Sequence, residues 1–548
     1  MGLVCFHVRR YDHAVEWTSR AIRKDPKPAY LTTLGNALFA QGRSEEAVAV
    51  FDKAVQLKPD DAMLWCNVAN ALLDAGRSSE ALLCFEHVVK LDPCHGEANY
   101  KAGHLLHELG RFEEALVRLN RSAELQADHA PTLYMRALTL KSFDRLDEAL
   151  ADNMRAIELD PTNHDTYGNV GNILQARGRH EEAVSWYERS LKIRPDVAKT
   201  MTNKALSLAE LCRFDEAMAA YRRSMIVNPN DSIAAWNLSL LQLLFGDFGA
   251  GWRGREARFA IPALAAGYPK WSTKRWHGNE AVAGKTVIVC AEEGLGDTIQ
   301  FVRYVPMLAA RGARVILIVD EALLPILSRM KGVSQCLPKL LDTVVPPYDF
   351  HVPIGSLPLA FGTTLDDIPC ERAYLPRPEM NRVQAWEDRL GPREKLMVGL
   401  VWSGNPKHRG DRNRSMPLRT LTRILDVDAT FVSLQKSPRP EDVLTLREST
   451  DIIDLTSYLT DFAETAALVA CLDLVITVDT SVAHLSAALG CPTWILLPHV
   501  PDYRWLLDRE DSPWYPTVRL FRQTETREYE TVLDRVRAEL VTLIGAKS

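Results

Sequence analysis

Along the first 245 residues apolar positions recur at helical spacing, and the helices themselves recur. Alanine stands at 47, 81, 115, 149, 183 and 217, a spacing of 34 residues. Proline at 59, 93, 161, 195 and 229 keeps the same period, with Ala127 where one proline is missing. Each period reads as helix, turn, helix. The turns are Gly42-Arg43, Gly76-Arg77, Gly110-Arg111 and Gly178-Arg179 or an equivalent, and a Glu-Ala pair opens each second helix. The alanines let paired helices approach closely, Phe51, Phe85, Tyr187 and Tyr221 fill the space beside them, and the proline ends the second helix. Residues 11–26 read as the tail of one more, truncated period. From Lys285 the pattern changes. Short β-rich runs at Thr286–Ala291, Val315–Val319, Val398–Trp402, Phe431–Leu434, Leu474–Val478 and Trp494–Leu497 alternate with helical stretches, which predicts parallel sheets wrapped by helices. The runs are continuously apolar, as strands buried on both faces require.

A period of 34 is the tetratricopeptide signature, and the resemblance to that family covers roughly residues 10–245. Such arrays present a groove lined by the first helix of each pair. The sixth position of successive periods reads Thr33, Asn67, Lys101, Met135, Asn169, Asn203 and Asn237. An asparagine offers acceptor and donors together and can clamp the backbone of an extended peptide without reading its side chains. Asn67, Asn169, Asn203 and Asn237 are therefore candidate acceptor-groove residues, and the series is similar to the asparagine ladder of O-GlcNAc transferase. The alternative is that these amides bond between helices or to water.

Composition bounds the function classes. With 548 residues, 47% hydrophobic and 25% charged, and a formal net charge of -6, the chain is an ordinary globular protein of several units, with no basic excess for bulk nucleic-acid binding. No stretch approaches a membrane-spanning length, and Arg9, Arg10 and Asp12 interrupt the N-terminal apolar residues early, unlike a secretory signal. Ten cysteines without a Cys-x-x-Cys pair suggest neither zinc nor a disulfide framework and fit a reducing, cytoplasmic setting.

Three stretches carry candidate chemistry. In Glu292-Glu293-Gly294-Leu295-Gly296-Asp297-Thr298, between a strand and an expected helix Ile299–Leu308, Gly294 and Gly296 allow a tight turn that brings Asp297 to the mouth of a sheet. A dinucleotide fingerprint needs a third glycine where Ile299 stands, although Asp320 at the next strand end keeps that reading open. Asp297 can equally cap the following helix. In Leu474-Val475-Ile476-Thr477-Val478-Asp479-Thr480-Ser481-Val482-Ala483-His484, a strand runs into a helix start, where free N–H groups favour an anion. The Thr480 and Ser481 hydroxyls suit a diphosphate, and His484 lies one turn on; taken singly, Asp479 is an N-cap and His484 a packed helical histidine. Third, the loop after Trp402 places Lys407, Arg409, Arg412 and Arg414 within eight residues. It follows the strand of a second lobe beginning near Gly391-Pro392, and Gln435, Lys436 and Asp479, which also emerge at strand carboxyl ends, are further candidate donor contacts. Lys407, Arg412 and Arg414 suit an anionic diphosphate.

Together, Gly294-Leu295-Gly296-Asp297, the Lys407–Arg414 loop and Asp479-Thr480-Ser481-Val482-Ala483-His484-Leu485 resemble glycosyltransferase family 9, the heptosyltransferase family, over roughly residues 245–530. The resemblance implies a GT-B fold of two Rossmann-like lobes, Asp297 as general base, and donor binding by the Asp-Thr-x-x-x-His segment with Lys407. It also implies inversion without a bound metal or other cofactor, the nucleotide sugar being a substrate. Heptosyltransferases act on lipid-linked sugars and carry no repeats; repeat-fused relatives resemble bacterial protein glycosyltransferases, including those acting on flagellin. The expected architecture is an all-α tetratricopeptide superhelix over 1–245, a connector over 246–284, an acceptor-side lobe over 285–390 and a sugar-nucleotide lobe over 391–548. The expected partners are a nucleotide-sugar donor and a polypeptide in the groove, with no nucleic acid and no membrane span. A repeat scaffold with an inactive transferase half and an enzyme of cell-envelope glycans are the alternatives.

Overall fold

The computed structural model describes residues 1–269, 271–340, 343–407 and 410–547. The chain divides into two compact units, residues 1–213 and 214–548. In the first, helices come in pairs: Pro28–Ala40 with Ser44–Leu57, Ala62–Asp74 with Ser78–Leu91, Gly96–Glu108 with Phe112–Leu125, Ala130–Ser142 with Leu146–Leu159, and His164–Ala176 with His180–Ile193. Ala47, Ala81, Ala115, Ala149 and Ala183 are fully buried on the second helices. Close approach is also visible from the first helices: a Cβ added at Gly35 would lie 2.4 Å from the Phe51 ring, and one at Gly171 2.5 Å from Tyr187. Second helices stop at Leu57, Leu91, Leu159 and Ile193, each two residues before a proline. The turn within each pair needs a left-handed residue: φ is 73° at Gly42, 77° at Gly76, and 74° at Gly110 and Gly178. The same period puts Asp144 at 57° and Cys212 at 58°, where a side chain costs roughly 1–2 kcal/mol that glycine avoids. This is the helical tetratricopeptide superhelix that the period announces.

The second unit opens with helices Phe214–Val227, Ser232–Leu244 and Phe248–Arg255, followed by two parallel sheets. The first contains β1 (Lys274–Arg275), β2 (Thr286–Cys290), β3 (Arg314–Val319), β4 (Val333–Pro338) and β5 (Phe350–Pro353), in the order β1-β5-β2-β3-β4. The second contains β6 (Leu396–Val401), β7 (Ala429–Ser433), β8 (Ile452–Ile453), β9 (Leu474–Val478), β10 (Thr493–Leu497) and β11 (Val518–Arg522), in the order β11-β10-β9-β6-β7-β8. The second sheet has a core on each face. Val398, Leu400, Ile476 and Leu496 pack on Leu533, Val536 and Leu540 of the C-terminal helix, while Val401 and Val475 pack on Trp386 and Leu468. Every residue of β6, β9 and β10 is buried, which is why these strands read as unbroken apolar runs. Two parallel sheets wrapped by helices are the α/β arrangement expected of GT-B lobes. Among the described residues no helix is long and apolar enough to cross a membrane.

One element differs from its expectation. The helix expected over Ile299–Leu308 begins earlier, at Leu295, and is broken into Leu295–Phe301, a 3-10 turn Val302–Tyr304 and Val305–Ala310. Pro306 has no N–H to continue the helical ladder, so the chain tightens just before it. Asp297 consequently sits in the first turn of a helix.

Candidate active site

The loop after β2 is held from behind by the connector. Arg258, 2% exposed at its side chain, donates to both Glu292 oxygens at 2.7 and 3.1 Å and to the Ser356 hydroxyl at 2.7 Å. Arg255 is bonded to Glu293, and the Gly355 N–H donates to Glu292 at 3.1 Å. Two arginines from one helical stretch therefore fix the two glutamates that precede Gly294. The sequence shows Arg255 and Arg258 only as ordinary helix-end cations; their three-residue spacing facing adjacent glutamates was the available signal.

Asp297 uses its two oxygens differently. Oδ2 accepts from the Gly294 N–H at 3.0 Å, closing the start of the helix, while Oδ1 pairs with Arg504. Helix capping and the presentation of a carboxylate thus coincide. Burial pushes the Asp297 pKa up to about 6, with Glu293 and Asp502 adding to the rise and Arg504 and Arg255 opposing it. Arg504, which no motif in the sequence marks, follows β10 in an aromatic-rich stretch that includes Tyr503, Trp505, Trp514 and Tyr515. It also donates to Gln300 Oε1 at 2.5 Å and Asp502 Oδ1 at 2.7 Å and lies over the Tyr503 ring.

The second motif meets the first. In the helix Ser481–Ala488, His484 is buried, its Nδ1 2.8 Å from the Tyr515 hydroxyl and its ring stacked on Trp505 at 5.5 Å. A Cβ at Gly296 would come within 2.7 Å of His484 Cδ2, so glycine is what allows the helices Leu295–Phe301 and Ser481–Ala488 of the two lobes to touch. Because Tyr515 and Trp505 hold the ring, Gly296→Ala is expected to cost about 1–3 kcal/mol, the usual price of overpacking, read by urea denaturation. An unchanged midpoint would mean that this contact yields freely.

Burial, then Arg504, Arg303 and Arg414, drive the His484 pKa well down, leaving a neutral ring 4.0 Å from Asp479 Oδ1. Asp479 is raised to about 6 by burial and by Asp502, against Arg504 and Arg414. Arg414 donates to the Asp479 carbonyl at 2.8 Å, tying the basic loop to the end of β9. Arg303 is bonded to the carbonyls of Gln300, Pro369 and Trp514 and to the Tyr374 hydroxyl. Thr480 and Ser481 stand partly exposed at the helix start, Thr480 Oγ1 being 3.3 Å from Thr477 Oγ1.

The structure thus gathers Gly296, Asp297, Asp479, Thr480, Ser481, His484 and Arg414. Arg412 stands apart, lining a cavity of about 310 Å³ outside the carboxyl ends of β10 and β11 with Met416, His499, Gln523 and Tyr529. Lys407 is exposed, its backbone N–H bonded to Asn405, and the neighbouring His408 and Arg409 lie outside the described residues. Gln435 is turned inward, its Oε1 accepting from the N–H groups of Trp402 and Ser403 at 3.3 and 3.1 Å, and Lys436 donates to the Thr460 carbonyl at 3.0 Å. Of the groove asparagines, Asn203 donates to Asn172 Oδ1 at 2.8 Å, a bond between helices, and Asn169 lies beside Tyr134. Asn67 and Asn237 are half-buried on their first helices.

Comparison with known proteins accords with both halves. Tetratricopeptide-repeat models match residues 35–76, 68–131, 130–163 and 163–225. The model of glycosyltransferase family 9 (heptosyltransferase) matches residues 445–497, the stretch holding Asp479, Thr480, Ser481 and His484. Protein FlbA of Caulobacter vibrioides is 28% identical over 333 residues, 54% of this chain, and the chain spans about half (53%) of that relative's length. Among solved structures, the repeat protein YrrB is similar at 22% identity and TM-score 0.30, over 34% of this chain and 95% of YrrB. A repeat protein of Parabacteroides merdae is similar at 19% identity and TM-score 0.35, over 44% and 96%. The chain is thus similar to tetratricopeptide-repeat proteins over residues 35–225 and to glycosyltransferase family 9 over residues 445–497.

Proposed function

We propose that this chain is a glycosyltransferase that moves a sugar, with inversion and without a metal ion or other cofactor, from a nucleotide-sugar donor to a hydroxyl of a polypeptide held by the repeats, flagellin being one candidate acceptor. The observation that carries the reading is the meeting of Gly296-Asp297 with the helix start at Thr480 across the contact with His484. Asp297 takes the acceptor hydroxyl's proton. Arg414 and the N–H groups at Thr480 and Ser481 meet the charge that develops on the departing diphosphate, which is electrostatic stabilisation by fixed groups. The cavity bearing Arg412 and Gln523 is large enough for part of a nucleotide, and it opens beside the same loop. The polypeptide acceptor is supported by the repeats, with Asn67, Asn169, Asn203 and Asn237 as groove contacts and protein association as the common use of such arrays. A cytoplasmic location is proposed from the free thiols, Cys66, Cys290 and Cys471 among them.

The test is thermal-shift titration with UDP-, GDP-, ADP- and CMP-sugars, since a ligand bound only by the folded state raises Tm. One donor class is expected to raise Tm selectively, with the shift lost in Thr480→Ala and reduced in Lys407→Ala. No shift with any class would favour a repeat scaffold over a transferase.

A further inference from the structure

The charged group nearest Asp297 comes from the other sheet. Arg504 follows β10 of the second lobe, yet its guanidinium is spent on the first: one nitrogen on Asp297, another on Gln300 at 2.5 Å, with Asp502 of its own segment accepting the third at 2.7 Å. The group is buried, stacked on Tyr503, and beside the Phe301 ring at 6.0 Å. A guanidinium fork held on three acceptors has no rotational freedom left, so it fixes the carboxylate it touches. We infer that Arg504 is a positioning residue for Asp297, reaching from the second lobe to orient the carboxylate carried by the first.

This rests on the proposal that Asp297 is the base, and it adds how the base is made ready. Oδ2 is tied to Gly294 and Oδ1 to Arg504, so the carboxylate plane is set by one contact from each lobe. Separation of the lobes removes the Arg504 contact and leaves only the helix cap; bringing them together both orients the carboxylate and opposes the protonation that burial promotes. Every charged neighbour enters that balance. Glu293 from the same loop and Asp502 beside Arg504 favour the proton, Arg255 from the connector and Arg504 disfavour it, and His484 from the facing helix stays neutral. Of the two cations, Arg504 is the one that touches Asp297 and opposes burial most.

The experiment reads the proton on Asp297 without any sugar or acceptor. The full chain is treated with a water-soluble carbodiimide and glycine methyl ester between pH 4 and 8, and modification of Asp297 is quantified by peptide mass spectrometry. The native midpoint is expected at about 6. In Arg504→Met it is expected to rise by about one unit or more, a tenfold tighter proton. Arg504→Lys, which keeps the charge but not the fork, should fall between. Circular dichroism and Tm establish which variants are folded, and Arg504→Lys alone suffices if Arg504→Met is not. An unchanged midpoint in a folded variant overturns the inference. Because the labelling requires no turnover, its failure is separate from failure of Asp297 as base, which the transfer rate of Asp297→Asn decides.

Discussion

Asp297→Asn is expected to lower sugar transfer by on the order of a hundredfold or more while leaving donor binding intact, because positioned bases contribute about 10²–10⁴-fold. The substitution keeps the volume of the side chain and one of its two acceptors. In the native chain one oxygen closes the helix at Gly294 and the other pairs with Arg504. An amide satisfies one of these donors and sets an NH₂ group against the other, so a loss of about 1–3 kcal/mol of stability accompanies the loss of rate. The two are separable: stability is read by denaturation, rate by single turnover with saturating donor. The pH profile supplies a second readout. A carboxyl raised to about 6 is protonated below that value and ionised above it, so transfer should fall as pH drops through 6 and level off above it. Undiminished transfer in Asp297→Asn, or a rate flat from pH 5 to 8, would remove Asp297 from the mechanism.

How much of this was legible depended on whether neighbours in space were also neighbours in sequence. The repeats were, because Gly42, Ala47 and Pro59 report a turn, a close contact and a helix end within one period, and each recurs. The buried strands β2, β3, β6, β7, β9 and β10 were, because burial on both faces writes itself as an apolar run. β1 and β8 are two residues each, and β4 and β5 carry Ser334, Gln335 and His351, so they lacked that mark. At the site, Asp297, Thr480 and His484 were visible as motifs because glycines and a strand-to-helix step flank them. Arg504 was not: its partner Asp297 lies 207 residues away, and nothing local distinguishes it from the other arginines of its segment. Gln435 shows the converse. It stands at a strand's carboxyl end, where ligands bind, yet its oxygen is taken by the backbone N–H groups of Trp402 and Ser403.

The connector also holds the second unit together through buried charge, and this sets the largest expected effect on stability. Arg258→Met should destabilise the second unit by about 3–5 kcal/mol, since it strands Glu292 as a buried charge. The Glu292 side chain is 4% exposed, and burial already pushes its pKa up against the pull of Arg258. Without Arg258 it retains the Gly355 N–H, a single neutral donor for a carboxylate. Ser356 and Glu256 lose a partner at the same time. The comparison that isolates charge from packing is Arg258→Met with Glu292→Leu, in which no charge is stranded between them; apolar replacements of buried pairs are often neutral or stabilising. The double variant should therefore recover most of the stability lost by the single one, followed by near-ultraviolet circular dichroism in urea. It should not recover transfer, because Glu292 and Glu293 anchor the turn that carries Asp297, and an apolar pair supplies no hydrogen bond to Gly355. If the double variant is no more stable than Arg258→Met, the pair acts through shape alone and the loop is held by Arg255 and Glu293.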